Sequence, residues 1–415
     1  MLRTWLLLIC LIIANNAVLS QVKIKLFSGY SPESALFTVT EGSYTFLKGD
    51  GKSRTLNKDD QVSFACLNRI LTVKEDSDTI FNSPFITLNG STGNDAFSLT
   101  IVGKKVMKRS YSGNLACYAG NGSVMMINTC PSEDYIAGVV HAEGGSNQNI
   151  EYYKTQAVLA RTYMYKYIEL NKSERDFLCD NTDCQVFFGI TSEKSILKAV
   201  AATKGLVLLG RDNRIIECPF HSNCGGETST SGDVWITHKP YLKSVADPFC
   251  QDSKNARWEK RVTLERWVNY LKKSGYKGIT TDPSIFSFSC QSRPGNYLVG
   301  SFVLPFTRIR TEMDLPSAYF SVTAVGDTVI LNGRGFGHGV GLCQEGAMKM
   351  AGKGYTYRQI INFYYSGVFI SDLNKAAFVP KFLTIPESQG MVQSAQNKEA
   401  VAALKSEGII IPASK

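Results

Sequence analysis

From residue 21 to about residue 110, apolar and polar positions alternate in short runs. Val22-Lys23-Ile24-Lys25-Leu26, Ala35-Leu36-Phe37-Thr38-Val39 and Phe97-Ser98-Leu99-Thr100-Ile101-Val102 each place one apolar face on a strand. Turn-forming clusters such as Lys48-Gly49-Asp50-Gly51 and Asn89-Gly90-Ser91 separate them. This predicts a β-rich module in which no catalytic residue types are concentrated. Beyond Tyr111, Leu115–Tyr118 and Val124–Ile127 flank Gly120-Asn121-Gly122, a hairpin signal.

The period then changes. Tyr135, Ile136, Val139, Val140 and Glu143 fall on one face of a short helix, with Ser132 placed to cap it and Gly144-Gly145 to stop it. A longer helix follows, with Asn149 as its cap and Ile150, Tyr153, Ala157, Ala160, Met164 and Tyr167 as its apolar face. Arg161 stands inside that pattern, where a buried cation needs a carboxylate or an anionic ligand. Next come a loop from Cys179 to Cys184, a helix near 195–204, a strand near 206–209 and a dense polar turn, Phe220 to Thr228. An amphipathic helix (264–271) lies among the strands of 250–330. From Gly333 to Ala347 glycine recurs at every second position, predicting a strand with one bare face that admits another backbone or a flat ligand. A helix near 347–351 comes after it. Thr356-Tyr357-Arg358-Gln359 is a capping-box signature for a helix ending near Ser366-Gly367. The tail from about Lys381 carries one amphipathic segment, 395–404. Strands before helices, without βαβ alternation, make the expected class α+β.

Length and composition narrow this picture only modestly. At 415 residues, two or three domains of roughly 150 residues are expected. A net charge of +9 is compatible with an anionic polymer as partner, but no Lys/Arg run resembles a nucleic-acid footprint, so nucleic acid is not expected. Residues 1–20 read as an export signal: Arg3, an apolar core from Trp5 to Ala14, and Val18-Leu19-Ser20 before Gln21. Of eleven cysteines, Cys10 lies in that signal; the remaining even number in an exported chain favours disulfides.

Several chemistries can be weighed. No G-x-S-x-G supports a serine hydrolase. The glycine run is neither a dinucleotide fingerprint, since position 338 is His, nor a phosphate loop, since no Gly-Lys-Ser/Thr follows. Cys224 and Cys343, with His221 and His338 available, allow a cysteine nucleophile, yet an oxidising compartment favours disulfides for both. Cys179 and Cys184 with His221 offer soft metal ligands, but the spacing favours a disulfide over zinc. His338 either lines a cleft or hydrogen-bonds backbone; spacing does not decide. Glu143 remains, an acid at the C-terminal end of an apolar helix face. The helix dipole and desolvation both raise its pKa there, as a general acid requires; the plainer alternative is a capping or ion-paired Glu. One such carboxyl serves glycoside cleavage if a second carboxylate or the substrate itself supplies the other half of the reaction.

Taken together, the motifs resemble the sporulation stage II protein D (SpoIID)/LytB family of cell-wall proteins. The similarity runs from Tyr111-Ser112-Gly113-Asn114-Leu115 to about Gly367. It takes in Glu133–Val140 followed by Glu143, Gln156–Tyr163, Cys184-Gln185-Val186, His221–Gly226, Tyr241–Val245, the Gly333–Ala347 stretch and Tyr364-Tyr365-Ser366-Gly367. Four segments are expected: a signal peptide (1–20), a β-rich N-terminal module (21–110), a mixed α/β catalytic domain with an open cleft (111–375), which is the part the resemblance implies, and a C-terminal tail (376–415); neither the front module nor the tail carries a motif of the family. The resemblance further implies an exported lytic transglycosylase of the periplasm or cell envelope, acting on denuded peptidoglycan glycan strands. Glu143 falls on the catalytic acid, and Arg161, Tyr241 and Lys243 fall on cleft residues; His221 and His338 lie in matching motifs and are candidate substrate contacts. The alternative on the same fold is a glycan-binding protein or an amidase activator, with a cell-wall amidase as partner. Two departures stand out. Gly144-Gly145 replaces the Met-Pro usual after the catalytic Glu. Some members hold zinc through a histidine and two cysteines, but Arg175 and Asp176 stand where that histidine would fall. No cofactor is therefore expected, zinc at Cys179 and Cys184 being the alternative to the disulfide. Oligomeric state stays open.

Overall fold

A computed structural model describes residues 21–373, apart from 49–50, 77, 104, 172–176, 236 and 280–281. Residues 1–20, expected to be an export signal, the tail with its 395–404 segment, Gly49-Asp50 of the first turn, and Arg175-Asp176 lie outside the described residues. The chain is a mixed α+β protein made of two units. One comprises the described residues up to Ser146 together with Met164–Gly205; the other comprises Asn147–Tyr163 and Leu206–Ser371.

In the first unit, the alternating runs form the strands their period demands. Gln21–Leu26, Ser34–Glu41 and Ala96–Val102 bury their apolar positions and turn the intervening residues outward, most regularly in the first two. Thirteen strands make two sheets. The seven-stranded sheet runs, in order, through Leu178–Cys179, Gln21–Leu26, Val124–Pro131, Asn114–Ala119, Phe85–Gly90, Ser43–Leu47 and Ser53–Asn57. It therefore joins strands from both sides of residue 110, with Gln21–Leu26 antiparallel to Val124–Pro131 and Phe85–Gly90 antiparallel to Asn114–Ala119. The hairpin about Gly120-Asn121-Gly122 forms as the sequence predicts. The six-stranded sheet faces it through aromatic contacts. Tyr44 meets Phe37 and Phe97 edge-on, with centroids 5.1 and 5.6 Å apart.

The helix Ser132–Gly144 leaves this sheet directly from the strand ending at Pro131. Its N-cap is Pro131, which makes no capping bond; Ser132 is already helical, so the expected Ser132 cap is not the one used. Gly145 does end it, with φ 69° and its N–H on the His141 carbonyl at 3.0 Å. Residues 135–140 are buried without a break, wider than the single stripe predicted, because the loop after Cys184 covers the opposite face. The helix Ile150–Leu170 starts where Asn149 Oδ1 accepts the Glu151 N–H at 2.9 Å. It too is buried nearly all round from Tyr152 to Thr162, while Ile150, expected on the core face, is exposed.

The second unit has its own core, in which Trp267, Tyr297, Phe306, Phe320 and Leu331 pack together. This core lies against the three-stranded sheet Arg257–Thr263, Thr328–Arg334 and Phe320–Val325 and the amphipathic helix Leu264–Lys273. The capping box Thr356/Gln359 is present at the start of the helix Tyr357–Tyr364. Among the described residues, no helix is long and apolar enough to cross a membrane.

Asp180 fastens the loop that ends the first unit's large sheet. Its carboxylate accepts the N–H groups of Phe27 and Ser28 at 2.6 and 2.8 Å and the Arg109 guanidinium at 2.9 Å, almost out of solvent. Asp180→Ala leaves a largely covered cation and two amides without these acceptors and should destabilise the protein by about 2–4 kcal/mol, somewhat below the loss for a fully buried pair. Urea unfolding measures it, and an unchanged midpoint would contradict the assignment.

Candidate functional site

Glu143 lies half-buried in the last turn of the helix Ser132–Gly144. Its Oε1 accepts the Val186 N–H at 2.9 Å. Burial pushes its pKa above the ordinary carboxyl value, and the Val186 hydrogen bond pulls partly the other way. Such a group holds its proton closer to neutrality and can deliver it to a leaving oxygen.

The Val186 amide is in place because of what surrounds it. A Cβ on Gly138 would overlap the Gly189 carbonyl oxygen and the Phe187 ring, so this mid-helix glycine lets the loop lie directly on the helix. Gly189, at φ +106°, in turn lies against Ser110, whose carbonyl also accepts the Ile190 N–H at 2.9 Å. Phe187 is buried between the rings of Tyr111 and Tyr135. The same loop carries Cys179 and Cys184, whose sulfurs lie near disulfide distance with Cα atoms 5.5 Å apart.

The other residues singled out from the sequence belong to the second unit. His221 and His338 come together, with ring centroids 5.4 Å apart. His221 is buried; its Nδ1 meets the Val340 carbonyl at 3.2 Å, and its Nε2 has no hydrogen-bond partner. His338 uses both nitrogens on backbone: Nε2 donates to the Phe220 carbonyl at 2.9 Å and Nδ1 accepts the Val340 N–H at 3.0 Å. Burial drives both pKa values down, that of His338 to about 4, so both rings are neutral at pH 7. Trp235 packs on His338 at 5.2 Å.

Tyr241 is half-buried and its phenol oxygen accepts the Glu217 N–H at 3.2 Å; burial pushes its pKa up. Lys243 is exposed. Arg161 is fully buried and donates from Nη1 to the carbonyls of Ala157 and Leu206, each at 3.3 Å. Backbone oxygens thus supply part of the compensation that the sequence assigned to an anion.

The glycine run is not a strand. The strand Thr328–Arg334 ends as it begins, and Gly335, Gly337, Gly339 and Gly341 all take positive φ, from 72° to 108°. The expected close approach is real, but its partner is the chain's own segment 219–225, together with the Arg293 side chain. A Cβ on Gly335 would lie 2.6 Å from the Asn223 carbonyl oxygen; one on Gly337 would lie 2.8 Å from the His221 Cβ. Period-two glycine is common to a bare strand and to a path of alternating positive φ, and sequence alone does not separate them.

Cysteine placement departs further from expectation. Cys224 and Cys343 are free, as are Cys66, Cys117, Cys130, Cys218, Cys250 and Cys290. Cys224, Cys250 and Cys343 gather around Asp247, all four buried. Sequence reasoning missed this grouping, since Cys224 and Cys343 are 119 residues apart and no ligand spacing links them.

A family model for SpoIID, "Stage II sporulation protein", matches residues 120–209. The chain is similar to Stage II sporulation protein D of Bacillus subtilis, with 32% identity over 275 residues, 62% of this chain and 78% of the relative. An uncharacterized protein of Brachyspira hyodysenteriae is also 32% identical over 275 residues, covering 64% of this chain and 73% of that protein. The amidase enhancer of Bacillus subtilis is 26% identical over 289 residues, covering 57% of this chain and 40% of that protein.

Because the folded-state pKa of Glu143 is raised, the native state binds its proton more tightly than the unfolded chain does. The resulting stability is present below the unfolded pKa and is lost as pH rises through the folded value. Glu143→Gln removes the ionisation, so its melting temperature at pH 7 should equal or exceed that of the wild type, the gap closing toward pH 4. A variant less stable at pH 7 than at pH 4, relative to wild type, would refute burial as the dominant cause. Gly138→Ala should lift the loop off the helix, hydrate the carboxyl and bring the Glu143 pKa down toward its ordinary value, because burial outweighs the Val186 hydrogen bond; carboxyl carbon NMR reads it, and an unshifted titration would contradict the loop as the source of that burial.

Proposed function

The chain belongs to the SpoIID family, and from that membership we propose that it is an exported lytic transglycosylase of the periplasm or cell envelope. Its substrate in this reading is the glycan strand of peptidoglycan after the stem peptides are removed. The observation that carries the reading is Glu143: a half-buried carboxyl, raised in pKa by burial, inside the stretch the family model matches.

A lone carboxyl is enough for this reaction. Protonated Glu143 gives its proton to the β-1,4 glycosidic oxygen as the bond from muramyl C1 breaks, freeing the 4-hydroxyl of N-acetylglucosamine. The resulting carboxylate takes the proton of the muramyl 6-hydroxyl while O6 bonds to C1. The product is a 1,6-anhydro-muramyl end, no water is consumed, and Glu143 regains its proton. Tyr241 and Lys243 serve glycan binding in this reading; Arg161, expected from the sequence in the same role, is fully buried on the Ala157 and Leu206 carbonyls and acts through the fold rather than by contact with the glycan. Neutral His338 shapes the binding surface beside Trp235, while His221, buried together with its Nε2, packs against His338 and does not meet the glycan. Cys179 and Cys184 are bridged, fastening the loop that carries Val186.

The second reading, an activator of a cell-wall amidase, is favoured by the similarity to the amidase enhancer. Denuded glycan strands incubated with the protein and analysed by mass spectrometry separate the two. Anhydro-muramyl ends are expected, and Glu143→Gln should slow their formation roughly 10²- to 10⁴-fold. Arg161→Ala should weaken turnover through the fold, and unchanged turnover would remove Arg161 from any part in the reaction. No anhydro ends, or equal rates for wild type and Glu143→Gln, would defeat the enzymatic reading; stimulation of an amidase by Glu143→Gln would then support the second. Peptide mapping without reductant should recover a Cys179–Cys184 bridged fragment, and two free thiols there would refute the bridge.

A further inference from the structure

Three thiols and a carboxyl lie together in the second unit, with one ligand atom from each of Cys224, Asp247, Cys250 and Cys343 within 4.8 Å of all the others. Cys224 Sγ is 3.3 Å from Cys250 Sγ and 3.3 Å from Asp247 Oδ2. Four ligands around a zinc ion, with Zn–S of about 2.3 Å, stand roughly 3.5–3.8 Å from one another in a tetrahedron. The observed separations bracket that figure. They are too long for a disulfide, where the sulfurs approach to about 2.05 Å. Nor does pairing satisfy the group, since three sulfurs leave one thiol beside a buried carboxyl whatever bond forms.

The surroundings suit thiolates. Cys343 is the N-cap of the helix Gln344–Gly352, and its sulfur accepts the N–H groups of Gly346 at 3.4 Å and Cys224 at 3.3 Å. Arg293 donates to the Cys224 carbonyl at 2.7 Å, bringing a cation next to the cluster. Asp247 is oriented by Tyr364, whose hydroxyl donates to Oδ2 at 2.8 Å, and by the Phe249 N–H, which reaches Oδ1 at 2.8 Å. A side chain on Gly346 would overlap both Tyr364 Oη and Asp247 Oδ2, so the helix start is bare where the carboxylate stands.

We propose that Cys224, Asp247, Cys250 and Cys343 bind a single thiophilic divalent ion, zinc, in a closed tetrahedral site. Three thiolates with one carboxylate select zinc over hard cations such as calcium and magnesium, which take oxygen ligands. A spread of 4.8 Å holds one ion. Four buried protein ligands leave no open coordination position, so the role is structural. The ion would cross-link the His221–Gly226 turn, the Asp247–Cys250 turn and the start of the helix Gln344–Gly352. It would thereby hold the segments on which His221 and His338 depend. This site is independent of the reading of Glu143.

Metal analysis of the full chain, made with zinc supplied and purified under reducing conditions without chelator, tests it. One zinc per chain is expected, retained in Cys179→Ser/Cys184→Ser and reduced by ~10-fold or more in Cys343→Ser. Should Cys343→Ser fail to fold, cobalt replaces zinc in the Cys179→Ser/Cys184→Ser protein. A thiolate-to-cobalt charge-transfer band with intense tetrahedral d–d bands is then expected, and a spectrum lacking both overturns the site. So does a folded wild-type protein without zinc, loss of the ion in Cys179→Ser/Cys184→Ser, retention in Cys343→Ser, or a Cys224–Cys250 disulfide in peptide maps.

Discussion

The contact of Gly138 with the backbone at Gly189 is the constraint on which the surroundings of Glu143 depend. A glycine inside a helix costs roughly 0.5–1 kcal/mol relative to alanine, and this helix accepts that cost in its most buried stretch. In return the loop lies flush on the helix, Phe187 is buried between two tyrosines, and the Val186 N–H arrives 2.9 Å from the carboxyl. Asp180 secures the same loop from its other end, through Phe27, Ser28 and Arg109. A carboxyl on a helix end would otherwise face water and titrate as an ordinary acid.

Desolvation acts in the same direction on opposite chemistries. It raises the pKa of Glu143 and lowers those of His221 and His338, and in every case the neutral form gains. At Glu143 that opposes ionisation without abolishing it, because one amide still favours the carboxylate. At His338 both nitrogens are spent on backbone, so neutrality fixes a tautomer and the ring orients the segment around Val340.

Local order was legible in the sequence wherever period and punctuation agreed. The Gly120–Gly122 hairpin, the Asn149 and Thr356/Gln359 caps and the Gly145 stop follow from residue type at fixed offsets, and the chain forms them. Reading failed where the deciding partner was distant. Pro131 displaces Ser132 as cap because the strand runs straight into the helix. Ile150 carries the right residue type, yet its helix is covered on nearly every side further along, so no single face identifies the core. The Val186 donor is a backbone group that no side-chain motif announces. The cysteine cluster is assembled from three stretches far apart in the chain, and an even cysteine count pointed to disulfides instead.

The glycine path between Gly335 and Gly341 divides its labour by parity. Its glycines are fixed by collision, since any side chain there meets the chain's own atoms. The residues between them run from exposed Arg334 and half-exposed Phe336 to partly covered His338 and buried Val340. Shape and surface chemistry are thus written in separate letters of one segment. Descendants of this chain can exchange Arg334 or Phe336, altering what the loop presents to a partner, while the course of the backbone is inherited unchanged.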